Sequence, residues 1–391
     1  MTRLIKVTLV LLAIGLVGLG LGAGWRTLSR PDRLEARPQV VASRVEATGF
    51  SRADGPREFR FPADYGPHPD FQTEWWYYTG NLTSVDGRRF GYQLTFFRRA
   101  LTPPAERVDR ASEWAADQVY MAHFAITDVG EKRHQAFERF SRGAVGLAGA
   151  ASLPYRVWVE DWEVAQVADD PGVVRMQASL RDSTIDLRLV DRKGPILQGI
   201  QGYSQKGPGS GSASYYYSQP RLQTSGTVRI NGESYRVQGW SWMDHEFSTS
   251  ALSRDQIGWD WFALRLADGT DLMVFQIRRL DGTIDAFSSG SLIESDGTSQ
   301  YLPLDAFSVE VTETWRSPHS GASYPMRWTV RVPSANLELQ IEPHLRDQEM
   351  TLSYTYWEGA VSITGEHNGN PVVGDGYVEM TGYAGPMGEQ F

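Results

Sequence analysis

The chain has 391 residues, no cysteine, 39 glycines, 12% aromatic residues and a formal net charge of -9. The lack of cysteine excludes a disulfide framework, a thiolate metal site and a cysteine-borne lipid anchor, and an acidic balance without a basic stripe argues against a nucleic-acid partner. At one domain per roughly 150 residues the length suggests two packed cores, and the composition points to β structure with many tight turns.

Arg3 and Lys6 precede an uncharged apolar run, residues 7–25. Its length is close to the roughly 20 residues that span a bilayer and exceeds a usual signal h-region. Residues 1–25 therefore read as a signal peptide or a membrane anchor, with the anchor favoured and the body placed outside the cytoplasm, periplasmic or otherwise extracytoplasmic. Residues 26–57, rich in Arg, Glu, Pro and Ala, read as a linker.

The body opens with strand, turn and strand: YYTGNLTSV, Asp86-Gly87 and FGYQLTFF alternate as a β-hairpin requires. FALRLA, Asp268-Gly269 and LMVFQI repeat the unit, and both end in paired arginines, Arg98-Arg99 and Arg278-Arg279, which suggests two related β units in tandem. Turn pairs at Asn231-Gly232, Asp281-Gly282, Asp296-Gly297 and Asn368-Gly369 keep the rhythm and predict an antiparallel barrel or sandwich. Residues 102–116 and 206–214 read as loops, candidates for a lid beside a barrel mouth.

Within FQTEWWYYTG, alternation places Glu74, Trp76 and Tyr78 on one face and Trp75 and Tyr77 on the other. A strand covered on both faces explains this composition structurally; a chemical role for Glu74 is the alternative. In GWSWMDHEF, Trp240, Trp242, Asp244 and Glu246 face one way, and Ser241, Met243, His245 and Phe247 the other. A carboxyl group against aromatic surface, with a like-charged neighbour roughly 6 to 7 Å along the strand, has its pKa raised and becomes a usable proton donor. The structural alternative is an all-β core rich in tryptophan, with acids solvated at a strand end. His123, in QVYMAHFAITD, is a candidate for orienting an acid or water, although a lone strand histidine, His245 included, is more often a hydrogen-bonded core residue. Tyr217 and Arg221, in YYYSQPRL, are candidates for a pocket rim. The seven histidines show no i, i+2 or i, i+4 pair, so no metal site is expected. Neither a nucleophile elbow nor a phosphate loop is present.

FPADYGPHPDFQTEWWYYTGNL, QVYMAHFAITD, YYYSQPRLQTSGTV, GWSWMDHEF and GWDWFALRLADGTDLM, in that order, resemble the lipocalin-like family that includes bacterial carotenoid 1,2-hydratases (hydroxyneurosporene synthases) and the AttH-type secreted proteins. The resemblance runs from about Phe59 to the C-terminus, and WMDHEF and GWDWF bring the chain nearer the AttH branch. It implies an all-β fold of two tandem lipocalin-like antiparallel β-barrel domains, over residues 58–248 and 249–391, preceded by the N-terminal hydrophobic segment. It also implies an apolar ligand, an isoprenoid or lipid, and hydration of a C=C bond without a cofactor: an acid protonates the bond, aromatic faces hold the tertiary carbocation, and water captures it. Asp244 matches the hydratase acid, whereas Trp242 stands where that branch places a tyrosine, a departure that tells against a carotenoid in particular.

The candidate catalytic residues are Asp244, Glu246, Glu74 and His123; the candidate ligand wall is Trp76, Tyr78, Tyr217, Arg221, Trp240, Trp242, Trp259 and Trp261. Three readings stay open: a hydro-lyase or isomerase, a membrane-attached lipophilic carrier serving an ABC-type export system, and a glycan-binding or glycan-cleaving protein.

Overall fold

The structure is a computed structural model that describes residues 48–249 and 252–387. The apolar run at 7–25 and most of the expected linker lie outside the described residues. Every Asp-Gly or Asn-Gly pair noted above joins consecutive strands. Asn231 and Gly232 have φ of 53° and 82°, and Asn368 and Gly369 have 53° and 76°, the left-handed pairs that a type I′ hairpin turn requires.

The first sheet comprises β1 (Thr73–Ser84), β2 (Arg89–Ala100), β3 (Gln118–Asp128), β4 (Arg133–Arg142), β5 (Ala148–Ser152), β6 (Tyr155–Val159), β7 (Trp162–Val167), β8 (Asp170–Leu180), β9 (Ser183–Asp191), β10 (Ile196–Leu197), β11 (Tyr203–Gln205), β12 (Ala213–Ile230) and β13 (Glu233–Ser248). The second comprises β14 (Gln256–Leu266), β15 (Asp271–Arg279), β16 (Ser289–Ile293), β17 (Ser299–Pro303), β18 (Ser308–Arg316), β19 (Ser323–Val332), β20 (Leu337–Pro343), β21 (Glu349–Thr351), β22 (Thr355–His367) and β23 (Asn370–Met380).

The two sheets share one topology. The first runs β4-β3-β2-β1-β13-β12-β9-β8-β7-β6-β5 and the second β17-β16-β15-β14-β23-β22-β20-β19-β18. In each, the first strand pairs with the last strand of its own sheet, and the break falls between the fourth and fifth strands in chain order. This is a lipocalin-like meander curled toward a barrel and made twice, the tandem expected from the repeated hairpins.

Side chains fill both interiors. Trp76, Tyr78, Tyr155, Trp162 and Tyr217 crowd the first, with the Tyr78 and Tyr155 hydroxyls 2.8 Å apart; Phe262, Trp328 and Trp357 anchor the second. A third apolar cluster, including Tyr77, Tyr216, Trp242, Trp261, Phe275 and Tyr377, joins residues of the two sheets. The sheets approach closely there: a Cβ added to Gly91 would lie 2.6 Å from the Ala360 methyl, and the Asn81 Nδ2 donates to the Gly376 carbonyl at 2.9 Å.

Candidate active site between the two sheets

Directly paired residues of antiparallel strands share a face. Across β2, β1, β13 and β12 the register aligns Arg99, Thr73, Ser248 and Ser214 in an outer row, Phe97, Trp75, Glu246 and Tyr216 in the next, and Thr95, Tyr77, Asp244 and Ser218 in the third. Much of this face looks onto Trp259 and Trp261 of β14, Phe275 of β15 and Glu379 of β23, and the facing walls enclose a cavity of about 360 Å³. The cavity therefore lies between the two curled sheets, whose interiors are occupied by their own side chains.

Asp244 is buried on this cavity and accepts three hydrogen bonds: from the Tyr216 hydroxyl at 2.6 Å, the Ser218 hydroxyl at 2.5 Å and the Trp242 Nε1 at 2.6 Å. Burial dominates, and with the Glu246 charge nearby it outweighs these donors, so the Asp244 carboxyl is pushed up to about 7. Glu379, on the opposite wall, accepts from Trp259 Nε1 at 2.8 Å; burial, reinforced by Asp244 and Glu246, pushes it up to about 7 as well. Behind this wall Glu358, fully buried and held well above the usual carboxylate range by burial and by Glu379, accepts from the Tyr77 hydroxyl at 2.9 Å. Glu246 accepts from Ser214 and lies 3.3 Å from the Lys206 ammonium. The Trp261 Nε1 donates to the Tyr216 hydroxyl at 3.1 Å.

Of the residues expected from sequence, the cavity gathers Asp244, Glu246, Trp259 and Trp261, with Trp242 as a donor to Asp244. The others go elsewhere. Trp76, Tyr78 and Tyr217 point into the first barrel, because the odd residues of β1 and the even ones of β12 face the second sheet. Glu74 joins them there, clamped by Arg98 at 2.8 Å, His245 at 2.7 Å and His68 at 2.8 Å. Burial pushes Glu74 up, yet the Arg98 charge and the two imidazoles prevail and hold it well below the usual range. His123 lies behind Tyr354, its Nδ1 2.7 Å from the Tyr356 hydroxyl and its Nε2 3.3 Å from Glu138; burial keeps it neutral by lowering its pKa. Trp240 lines a separate polar cleft of about 790 Å³ with Arg192, Gln223 and His344. Arg221 is paired with Asp271 at 2.9 Å.

His68, Glu74 and His245 also bring three metal-capable atoms within 4.8 Å, a grouping that sequence spacing did not suggest. The two imidazoles meet Glu74 at Oε1 in hydrogen bonds that a cation would have to replace, and Arg98 holds the other carboxylate oxygen.

The sequence profile of the AttH-like family matches residues 52–383. The chain belongs to the AttH-like family. A crystal structure of a Nitrosomonas europaea protein described as an AttH is similar at a TM-score of 0.75 and 36% identity, covering 84% of this chain and 99% of that one. Kievitone hydratase from Nectria haematococca shares the fold at a TM-score of 0.64 and 15% identity, covering 86% of this chain and 98% of its own. Dehydratase asqC of Emericella nidulans is 22% identical over 271 residues, 66% of this chain and 75% of that protein.

Sequence reasoning passed over several cavity residues of this AttH-like protein. Tyr216 lies one position from the chosen Tyr217; the long strand β12 carries a register shift between Gln219 and Leu222, so no single alternation phase fits YYYSQPRL. Trp75 and Tyr77 alternate to the face opposite Glu74, the one candidate acid of β1. Lys206 sits in a loop read as flexible, and Glu379 stands more than a hundred residues from Asp244. For Glu379 the available signal was an acid set among apolar strand residues, in GYVEM.

Proposed function

We propose that this AttH-like protein is a hydro-lyase that adds water to, or removes it from, an apolar unsaturated small molecule held in the cavity between its two sheets. The observation that carries the reading is a pair of buried carboxyls, Asp244 and Glu379, each pushed up to about 7 on a mainly aromatic wall. With both titrating near neutrality, a form with one carboxyl protonated and the other ionised is populated at pH 7. One is then a neutral acid while the other is a carboxylate base, which is what water addition needs.

In the hydration direction the Asp244 carboxyl gives its proton to one carbon of the double bond. Cationic character develops on the other carbon against the faces of Trp75, Tyr77 and Trp261. Water attacks that carbon and its surplus proton passes to Glu379; return of the proton to Asp244 resets the site. Dehydration is the reverse. The relatives named a hydratase and a dehydratase support a reaction of this type. A cavity of about 360 Å³ lies at the small end of ligand sites, which favours a compact molecule over a full-length carotenoid. Export and attachment through residues 7–25 belong to the same reading and are tested by membrane fractionation.

The test is incubation of the full-length protein with an isoprenoid and lipid extract in water enriched in heavy oxygen, followed by mass spectrometry, for wild type and Asp244→Asn. A product that gains heavy oxygen with wild type and not with the variant supports the reading. Ligand retained by both, with no labelled product, would identify a carrier instead.

A further inference from the structure

Arg98 and Arg99 are adjacent on β2 and point to opposite faces. Arg98 is fully buried toward the first barrel, where Glu74 and the carbonyls of His68 and Phe71 take up its donors. Arg99 lines the cavity, half-buried, and its guanidinium makes no hydrogen bond or ion pair with any described residue. Burial lowers its pKa with no carboxylate acting against that, although a guanidinium stays charged at any ordinary pH.

The other charges around the cavity do not answer it. Lys206, the second cation, is matched by Glu246 at 3.3 Å and lies over the Phe275 ring at 4.1 Å. Asp244 is engaged by Tyr216, Ser218 and Trp242 and Glu379 by Trp259, neither pairs with Arg99, and each is only partly ionised near neutrality. A partly desolvated cation without a partner is unfavourable, and its planar fork of donors fits a carboxylate in a bidentate pair. We propose that Arg99 receives a carboxylate of the substrate, so that the substrate is an amphipathic unsaturated acid with its double bond beside Asp244.

The spacing sets the shape of such a molecule. Arg99 stands in the outer row of β2 and Asp244 in the third row of β13, two strands across and four residues deeper. With about 4.8 Å between strands and about 3.4 Å per residue, their Cα atoms are roughly 17 Å apart. The Arg99 and Asp244 side chains reach across part of that span, and a ligand touching both carries an apolar body over the remainder, flanked by Trp75 and Tyr77. The carboxylate anchors and stays chemically unchanged. The choice of substrate class rests on the hydro-lyase reading, whereas recognition of an acid at Arg99 does not.

Geranate and geraniol, one skeleton with a carboxylate or a hydroxyl, are suitable probes. Their dissociation constants are measured near pH 7 by quenching of cavity tryptophan fluorescence in the full-length chain. Wild type is expected to bind geranate about tenfold more tightly than geraniol, equivalent to about 1.4 kcal/mol. Arg99→Gln should reduce geranate to the level of geraniol and leave geraniol unchanged, and Arg99→Lys should restore part of the difference. Added salt should weaken geranate alone. Ligand-free Arg99→Gln should melt no lower than wild type, since it removes an unmatched cation. Equal binding of the two probes by wild type, or a preference that survives Arg99→Gln, would overturn the proposal while leaving the cavity intact as a binding site. Failure of wild type to bind either probe would contradict both the proposal and the reading of the cavity.

Discussion

The two faces of the β1 and β13 pair carry the same kind of group to opposite ends. On the barrel side Glu74 is buried beside Arg98 and two imidazoles, and its carboxyl is held well below the usual range. On the cavity side Asp244 is buried beside neutral donors and a second acid, and its carboxyl is pushed up to about 7. Burial is comparable, so the partners decide. A countercharge turns a buried acid into a structural ion pair; its absence turns one into a proton donor. One strand pair supplies both because Glu74 of β1 and Asp244 of β13 stand in rows that face opposite ways.

Substitutions on the two faces should separate these roles. Asp244→Asn is expected to lower turnover by about 10²- to 10⁴-fold, the usual worth of a general acid, with little change in the unfolding midpoint, because the amide oxygen can still accept from Ser218 and Trp242 while the amide nitrogen donates to the Tyr216 hydroxyl. Glu74→Gln should do the reverse. It leaves Arg98 buried without its charge partner and should destabilise the fold by roughly 3 to 5 kcal/mol, read by urea denaturation. Loss of turnover in a stable Glu74→Gln protein would break the comparison.

The pH dependence of stability sharpens it. Asp244 and Glu379 have folded values of about 7 against ordinary values of 3.8 and 4.5. Their protonated forms are favoured by folding, so their contribution is complete below about 4 and is lost as pH rises through about 7. Glu74, depressed in the fold, contributes above 4.5 and loses that contribution as pH falls through its lowered value. Ligand-free protein should thus lose up to a few kcal/mol between pH 5 and 8, and Asp244→Asn should flatten that slope. Urea midpoints across this range give the answer.

A smaller effect is expected at Tyr216. Its hydroxyl donates to Asp244 at 2.6 Å and favours the ionised form. Tyr216→Phe should move the alkaline limb of the pH–rate profile upward by about one unit.

Much of the fold was legible in the sequence because turns and alternation are local. Asn231-Gly232 and Asn368-Gly369 fix their hairpins through backbone geometry alone, and the repeated hairpin that ends in Arg98-Arg99 and Arg278-Arg279 marks the start of each sheet. The resemblance to AttH-type proteins carried the barrel architecture. Alternation also divided β13 correctly into an Asp244 face and a His245 face. It could not say which face of each strand meets the second sheet, since Trp75, Trp76, Tyr77 and Tyr78 look alike from composition. Nor could it bring Glu379 opposite Asp244, a neighbourhood made by packing of one sheet on the other. The cavity is a product of that packing, so residues such as Lys206 and Arg99 acquire meaning only in the assembled fold.

Carbon-13 carboxyl NMR titration of the ligand-free protein, compared with Asp244→Asn, tests the central claim most directly. The account predicts a carboxyl resonance titrating near pH 7 that disappears in the variant, with the remaining near-neutral resonance, from Glu379, shifted downward because a like-charged neighbour has been removed. An Asp244 resonance that titrates in the ordinary range around its value of 3.8 would contradict it.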